Sequence, residues 1–433
     1  MASGVSRDWQ RATLVTSLVT LMFRRLFVAV LLFAAAAFAE SAPAITPPPV
    51  FSQMDQMVST LAEITGWPVK RKVPSEILSK DKFQRYLSSH IKDSSHDKET
   101  RAEELALKMF GLVPQDFNLG RETEDLLGEQ AAAFYDYRKK RLYIIDSTPA
   151  GEEQQMALVH ELAHALADQQ HPLGKYLNQG SPDPDASTAR EAVMEGQATW
   201  LTWAYEAKRS GGKGEVPLRL LDQLTQETGD NAEFPVLDKT PLYMRESLLF
   251  PYNQGARFQD AVYRKMGRGA FEAVFAQAPS STQQILHPSD YFDKTAPVAV
   301  EPLSIDQIVG KQKAGQFRAV MEGAVGEFDH AVLLRQFVGE REGTEMARHW
   351  RGGSFRLYEH KKDNYPVLSY VSRWDTPESA HAYFVLYQRI LKGKWKKMEV
   401  KSATATEVSG IGDSGRFTVR ISGTSVQSVE GLR

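Results

Sequence analysis

His160 and His164 lie four residues apart in the stretch Gln155-Met-Ala-Leu-Val-His-Glu-Leu-Ala-His-Ala-Leu-Ala-Asp168. On a helix four residues turn through about 400°, so both imidazoles leave nearly the same face. One turn apart, two neutral imidazoles can close on a single Zn²⁺ at roughly 2.0–2.1 Å per bond. Glu161 stands beside them, placed to accept a proton from a water activated by that cation rather than to bind it. The flanking Leu158, Val159, Leu162, Ala163, Ala165 and Leu166 are apolar, as a helix packed into a core requires. A solvated helix carrying the motif by accident would hold charges there. The reading without chemistry is a buried structural histidine pair.

Catalytic zinc usually keeps three protein ligands and one open position for water, so a third ligand must be found. A metzincin would place Gly and His three and six residues after the second histidine. Here those positions are Ala167 and Gln170, and His171 falls one residue late, before Pro172, where a helix tends to stop. The better candidate is Glu195, in the helical stretch Ala186–Leu201. It is followed by Gly196 and Ala198, small residues that would let this helix approach the histidine helix closely. Glu191, one turn earlier, is the rival ligand; its other reading is support for a ligand imidazole or a bond to Arg190. The intervening Pro172–Asp185 is rich in Pro, Gly, Asn and Asp and reads as a loop.

His160-Glu161-Leu-Ala-His164 followed by Glu195-Gly196-Gln-Ala198 resembles the gluzincin metallopeptidases of the HExxH…EGxA type, the peptidase MA-like group, over about residues 120–295. The separation of about thirty residues between His164 and Glu195 exceeds that of the best-known members. The resemblance implies an exported zinc peptidase with His160, His164 and Glu195 on the metal and Glu161 as general base. Two downstream segments also resemble positions that recur in the group. Leu248–Phe258 contains an FPYxxG turn expected to open a helix, and Ser280–Tyr291 reads STxQxLHPxxY. Such a peptidase needs a donor near the developing oxyanion besides the metal; Tyr252 and His287 are the candidates, with Tyr243 behind them. Their plain readings are a helix-start turn and a capped loop. Two other classes compete: a zinc-stabilised binding or scaffold protein without turnover, and a zinc hydrolase of a non-peptide substrate. An intact Glu161 argues against the first.

The elements that must position these residues surround them in the chain. Ala132–Asp136 and Leu142–Asp146 are β-prone runs split by the basic turn Tyr137–Arg141, which reads as a hairpin. Just upstream of the histidine helix, it occupies the place where a sheet edge could hold an extended peptide through main-chain hydrogen bonds. After Glu195, Trp200, Leu201, Trp203 and Tyr205 continue a helix that reads as core, broken at Ser210–Gly214, and Leu218–Thr228 reads as another amphipathic helix.

The 433 residues allow two or three domains, and 42% hydrophobic with 24% charged residues fits a globular protein. A net charge of −2 gives no reason to expect nucleic acid. The absence of cysteine excludes disulfides, cysteine ligands, a cysteine nucleophile and a lipoprotein anchor. Met22–Ala39 has a basic start at Arg24-Arg25, an apolar run, and Ala37-Phe38-Ala39 as a cleavage site. It reads as a secretory signal peptide too short to span a bilayer comfortably, with translation starting at Met22. Export to a periplasm or the extracellular space follows, with no membrane attachment after cleavage and a peptide or protein as substrate.

The expected division is 1–39 signal peptide, 40–50 linker, 51–115 N-terminal helical region, 116–300 zincin-like metallopeptidase domain and 301–433 C-terminal domain. The fold class is α+β: a mainly helical zincin-like domain with a small edge-strand hairpin, then a small antiparallel α+β domain, possible as a ferredoxin-like fold. In that last part Phe355–Tyr358, Pro366–Trp374, Val400–Glu407, Gly415–Ile421 and Ser425–Val429 read as strands. Asp375-Thr376-Pro377-Glu378 opens a helix through Leu391. Lys392–Lys397 reads as a solvated basic loop, and His90, His96, His330, His349, His360 and His381 as surface residues.

Overall fold

The computed structural model describes residues 29–30, 53–91, 94–146, 151–179, 183–212, 214–217, 221 and 234–433. The expected linker lies outside the described residues, as do the Leu218–Thr228 helix apart from Leu221 and the expected signal peptide apart from Ala29–Val30. The chain is a mixed α/β protein with a C-terminal antiparallel sheet. No helix among the described residues is long and apolar enough to cross a membrane.

The first sheet has four strands: β1 (Ala29–Val30), β2 (Ser75–Leu78), β3 (Ala131–Asp136) and β4 (Arg141–Ile145), in the order β1-β3-β4-β2. The hairpin is the antiparallel pair β3–β4, with Tyr135 opposite Leu142 and Asp136 opposite Arg141. Its turn is pinned by Asp136, whose Oδ1 accepts the backbone N–H groups of Arg138 and Lys139 at 2.9 and 3.0 Å. Lys140 closes it in the left-handed conformation, φ 54°. The sequence reading missed β2, which comes from the N-terminal region and pairs parallel to β4. Its burial does not alternate, since both central residues are exposed, so it carries no period-2 signal.

Three helices carry the centre of the molecule. The histidine helix spans Glu152–Gln170, the glutamate helix Pro184–Arg209 and the tyrosine helix Leu242–Met266. Every residue of the first from Met156 to Gln169 is buried, including the polar His160, Glu161, His164, Asp168 and Gln169. The glutamate helix starts cleanly: Asp183 caps it by accepting the Ala186 N–H at 3.0 Å, and Pro184 fills the first turn, where a missing N–H costs nothing. Lys208 and Arg209 sit at its C-terminal end, the favourable end for positive charge. Trp200, Leu201 and Tyr205 are buried as expected, and the Trp200 indole N–H donates to Asp260 at 3.1 Å.

The tyrosine helix corrects one expectation. Pro251 does not open it but sits inside it, so Tyr252 belongs to the middle of a long helix rather than to a turn. Burial against the glutamate helix outweighs the helix hydrogen bond that proline cannot make.

The second sheet is fully antiparallel: β5 (Phe317–Ala324), β6 (Trp350–His360), β7 (Pro366–Trp374), β8 (Met398–Ala403), β9 (Glu407–Gly412), β10 (Gly415–Ser422) and β11 (Ser425–Leu432). The spatial order is β5-β6-β7-β11-β10-β9-β8. Long runs of chain neighbours stay neighbours in this sheet, so it lacks the interleaving of split βαβ units and is not ferredoxin-like. The expected strand over 400–407 is two strands with a turn between. The helix Pro377–Lys394 begins as the sequence implies, with Thr376 accepting the Ser379 N–H at 3.1 Å. It continues past Leu391 because Lys394 is not a solvated loop residue. Its ammonium is buried against Glu430 at 2.6 Å and also donates to the Met109 carbonyl at 2.8 Å.

One continuous apolar core joins both parts of the chain. Polar contacts cross the same boundary. Asp185 of the glutamate helix accepts from the N–H and hydroxyl of Thr282, at 3.1 and 2.5 Å, and the Phe328 N–H donates to the same hydroxyl at 3.2 Å. The approach there is so close that a Cβ on Gly326 would lie 1.9 Å from an Asp185 oxygen.

Candidate metal centre

The helical spacing brings the rings of His160 and His164 together, with centroids 4.8 Å apart and near-perpendicular planes. Their Nε2 atoms are 3.1 Å apart. Glu195, from the neighbouring helix, completes the triangle: its Oε2 is 3.1 Å from His160 Nε2 and 3.2 Å from His164 Nε2. Ligands around a tetrahedral Zn²⁺ at the usual bond lengths are separated by about 3.3 Å. The three atoms therefore converge as ligands of one small cation would, and Glu195 is the carboxylate that meets both rings. Glu191 lies a turn away; the buried Glu103 carboxyl is raised by burial first, then by the charge of Glu99 and last by that of Glu191.

All these groups are buried: His160 and His164 are 1% exposed, Glu161 0% and Glu195 7%. Burial lowers the His160 pKa, favouring the neutral ring that ligates metals. Burial alone would raise the Glu195 carboxyl, but His164's charge and the hydrogen bonds of both imidazoles outweigh it, bringing it down to about 2. Glu161 goes the other way, held well above the usual carboxylate range by burial and then by the charge of Glu195. A cation among the donors would favour the ionised form of Glu161.

His160, Glu161 and His164 also form a cluster in which one ligand atom from each lies within 4.8 Å of the others. Within it Glu161 is held at one end only. Its Oε2 accepts the backbone N–H of Tyr135 in β3 at 2.6 Å, while its buried Oε1 has no hydrogen-bond partner. The donor set and this orphaned oxygen fit a hard or borderline divalent ion with an adjacent proton acceptor.

Glu195 comes close to the two histidines for a reason other than the one inferred from sequence. Gly196 faces the tyrosine helix rather than the histidine helix: a Cβ there would lie 2.0 Å from the Gly255 carbonyl carbon. Reciprocally, a Cβ on Gly255 would lie 2.0 Å from the Ala192 oxygen. This backbone contact sets Tyr252, three residues before Gly255, against the site. Its ring is 5.9 Å from that of His160, inclined by 29°.

The other two candidates are engaged elsewhere. His287 Nε2 pairs at 2.7 Å with Glu327, on the helix Glu327–Phe337 of the C-terminal part of the chain; that hydrogen bond raises the imidazole pKa. Tyr243 donates its hydroxyl to Asp329 on the same helix at 2.6 Å. Both therefore tie the two halves of the chain together. His330, expected at the surface, is instead buried at 0% exposure. His349 and His360 are partly covered and His381 is exposed.

Sequence reasoning missed Tyr135, because a backbone N–H leaves no signature in residue type. It also missed the role of Glu327 and Asp329, which look like ordinary first-turn acids of a helix. A family described as a domain of unknown function, DUF8575, matches residues 315–433, the segment that contains the whole second sheet. No curated protein and no solved structure matches the chain.

Proposed function

We propose that the protein is a zinc-dependent metallopeptidase of the gluzincin type. One observation carries the reading: His160 Nε2, His164 Nε2 and Glu195 Oε2 meet within 3.2 Å of one another, beside a Glu161 oxygen that has no other partner. His160, His164 and Glu195 would hold the ion. Zinc so held supplies Lewis-acid chemistry, acidifying water and polarising a carbonyl.

The chain's own residues do the rest. Glu161, oriented by the Tyr135 N–H, presents its second oxygen to take a proton from the attacking water and return it to the leaving amine. Tyr252, beside His160, is the side chain available as a donor to the developing oxyanion. A strand's N–H groups lie in the plane of its sheet, so the bond from Tyr135 places Glu161 along the lateral edge of β3. That edge takes an extended partner antiparallel at Ala131–Ala133, where β1 pairs with it. A peptide aligned there would run past Glu161, which favours a peptide over other carbonyl substrates.

The test is a pair of measurements on the full chain. Metal content is determined for the wild type, His164→Ala and Glu161→Gln, and cleavage of a quenched fluorescent peptide library is followed for each. The expected result is about one zinc per chain in the wild type and Glu161→Gln, loss of zinc in His164→Ala, and cleavage by the wild type alone. Zinc bound without cleavage of any peptide would overturn the peptidase reading in favour of a zinc-stabilised scaffold.

A further inference from the structure

Asp168 lies seven residues after Glu161 on the histidine helix. Seven residues are almost two whole turns, about 10 Å of helix, so the two carboxylates share one face. Tyr135 of β3 lies across that face and is bonded at both ends. Its backbone N–H donates to Glu161 at 2.6 Å, and its phenol donates to Asp168 Oδ2 at 2.9 Å. The phenol is a lasting donor, since burial and then the Asp168 charge hold its pKa far above neutrality.

Asp168 is itself over-determined. Its side chain is fully buried, and both oxygens receive the Lys140 ammonium, at 2.8 and 2.6 Å. The Leu173 N–H donates to Oδ1 at 2.9 Å, and the Arg71 guanidinium stands 3.6 Å from Oδ2. Lys140 reaches inward from the β3–β4 turn, where it holds φ 54°. A buried carboxylate needs such compensation, but a single lysine would supply the charge. Here the donors come from the strand, its turn and the next helix, with a guanidinium from the segment before β2 standing nearby, all gathered on one residue of the histidine helix.

We propose that Asp168 and the Tyr135 hydroxyl are positioning residues that fix the register of β3 on the histidine helix and thereby aim Glu161. The inference rests on the metallopeptidase reading for its catalytic consequence, and on the geometry alone for the clamp. Neither group touches the reacting atoms. They act through the Tyr135 N–H, which holds one Glu161 oxygen so that the other faces the ligand atoms. A side chain that merely filled core would change stability without changing this amide.

The experiment uses the full chain with Tyr135→Phe, which removes one hydroxyl, and Asp168→Asn, which keeps the shape of the anchor. Amide hydrogen exchange is read on the peptide covering residues 131–137, with zinc affinity by chelator competition and turnover of the quenched peptide library. The clamp predicts exchange in that peptide about tenfold faster in Tyr135→Phe, the scale of one hydrogen bond to a charged group, and the same region accelerated in Glu161→Ala. It predicts kcat lower by about tenfold at unchanged KM and unchanged zinc affinity. Unaltered exchange, or a fall in zinc affinity that accounts for the lost turnover, overturns it. If the wild type cleaves nothing, the peptidase reading falls while the exchange data alone still decide the clamp.

Discussion

Two buried histidine sites in this molecule have similar burial and opposite bonding. In the C-terminal half, His330 donates or accepts at both nitrogens: Nδ1 meets the Gly326 carbonyl at 2.7 Å and Nε2 meets the Tyr370 hydroxyl, which continues to Tyr383 at 2.8 Å. Near the first sheet, His160 Nδ1 has no partner, and its Nε2 faces a second imidazole and a carboxylate. The acids divide the same way. Glu430 is saturated by Tyr387, Ser428 and Lys394, whereas Glu161 keeps an open oxygen. A closed network specifies a core, because every polar group finds its partner inside the chain. An open one leaves polar atoms that the chain itself does not engage. Burial alone does not separate a structural histidine from a ligand; the count of remaining valences does.

Substitutions can break that contrast at either end. Glu161→Gln should have the largest effect, lowering peptide turnover by about 10³-fold or more while zinc content stays at the wild-type level by atomic absorption. The closed network should answer in stability instead. Lys394→Met leaves Glu430 buried without its cation, and urea unfolding should show a loss of about 3–5 kcal/mol, with zinc content unchanged.

His330 gives the pH dependence of the closed network. Burial lowers its pKa to about 4 from an ordinary value near 6.5. The unfolded chain therefore binds the proton more readily than the folded one between those values. Its contribution is complete above about pH 6.5 and is lost as pH falls toward 4, by up to ~3 kcal/mol. His330→Gln should flatten that part of the stability profile in urea titrations at pH 7, 6 and 5. Gly196→Ala should cost about 1–3 kcal/mol through overpacking against Gly255, read as a lower thermal midpoint. At the small end, His381→Ala, at an exposed position, should shift stability by less than ~0.5 kcal/mol and leave zinc untouched.

The legible parts of this chain were those written in side-chain type and spacing. The histidine helix, the hairpin and the Thr376 cap all follow from local pattern, since each depends on residues within one or two elements. What stayed hidden depends on partners distant in sequence. His330 sits among polar neighbours in the chain yet packs against Tyr370 and Tyr383, and nothing near it in sequence announces them. Lys394 lies in a run of basic residues, but its carboxylate is Glu430 on the last strand. Gly196 was correctly read as a point of close approach and assigned to the wrong neighbour, because a glycine declares contact without naming what it touches. Tyr252 and His287 were linked by the same argument for an oxyanion donor; only the fold separates the one beside His160 from the one paired with Glu327.

The meeting of Gly196 and Gly255 has a mechanical corollary. Main chain meets main chain there, so the glutamate and tyrosine helices have no side-chain layer between them at that point, and Glu195 and Tyr252 sit on directly adjoining backbone.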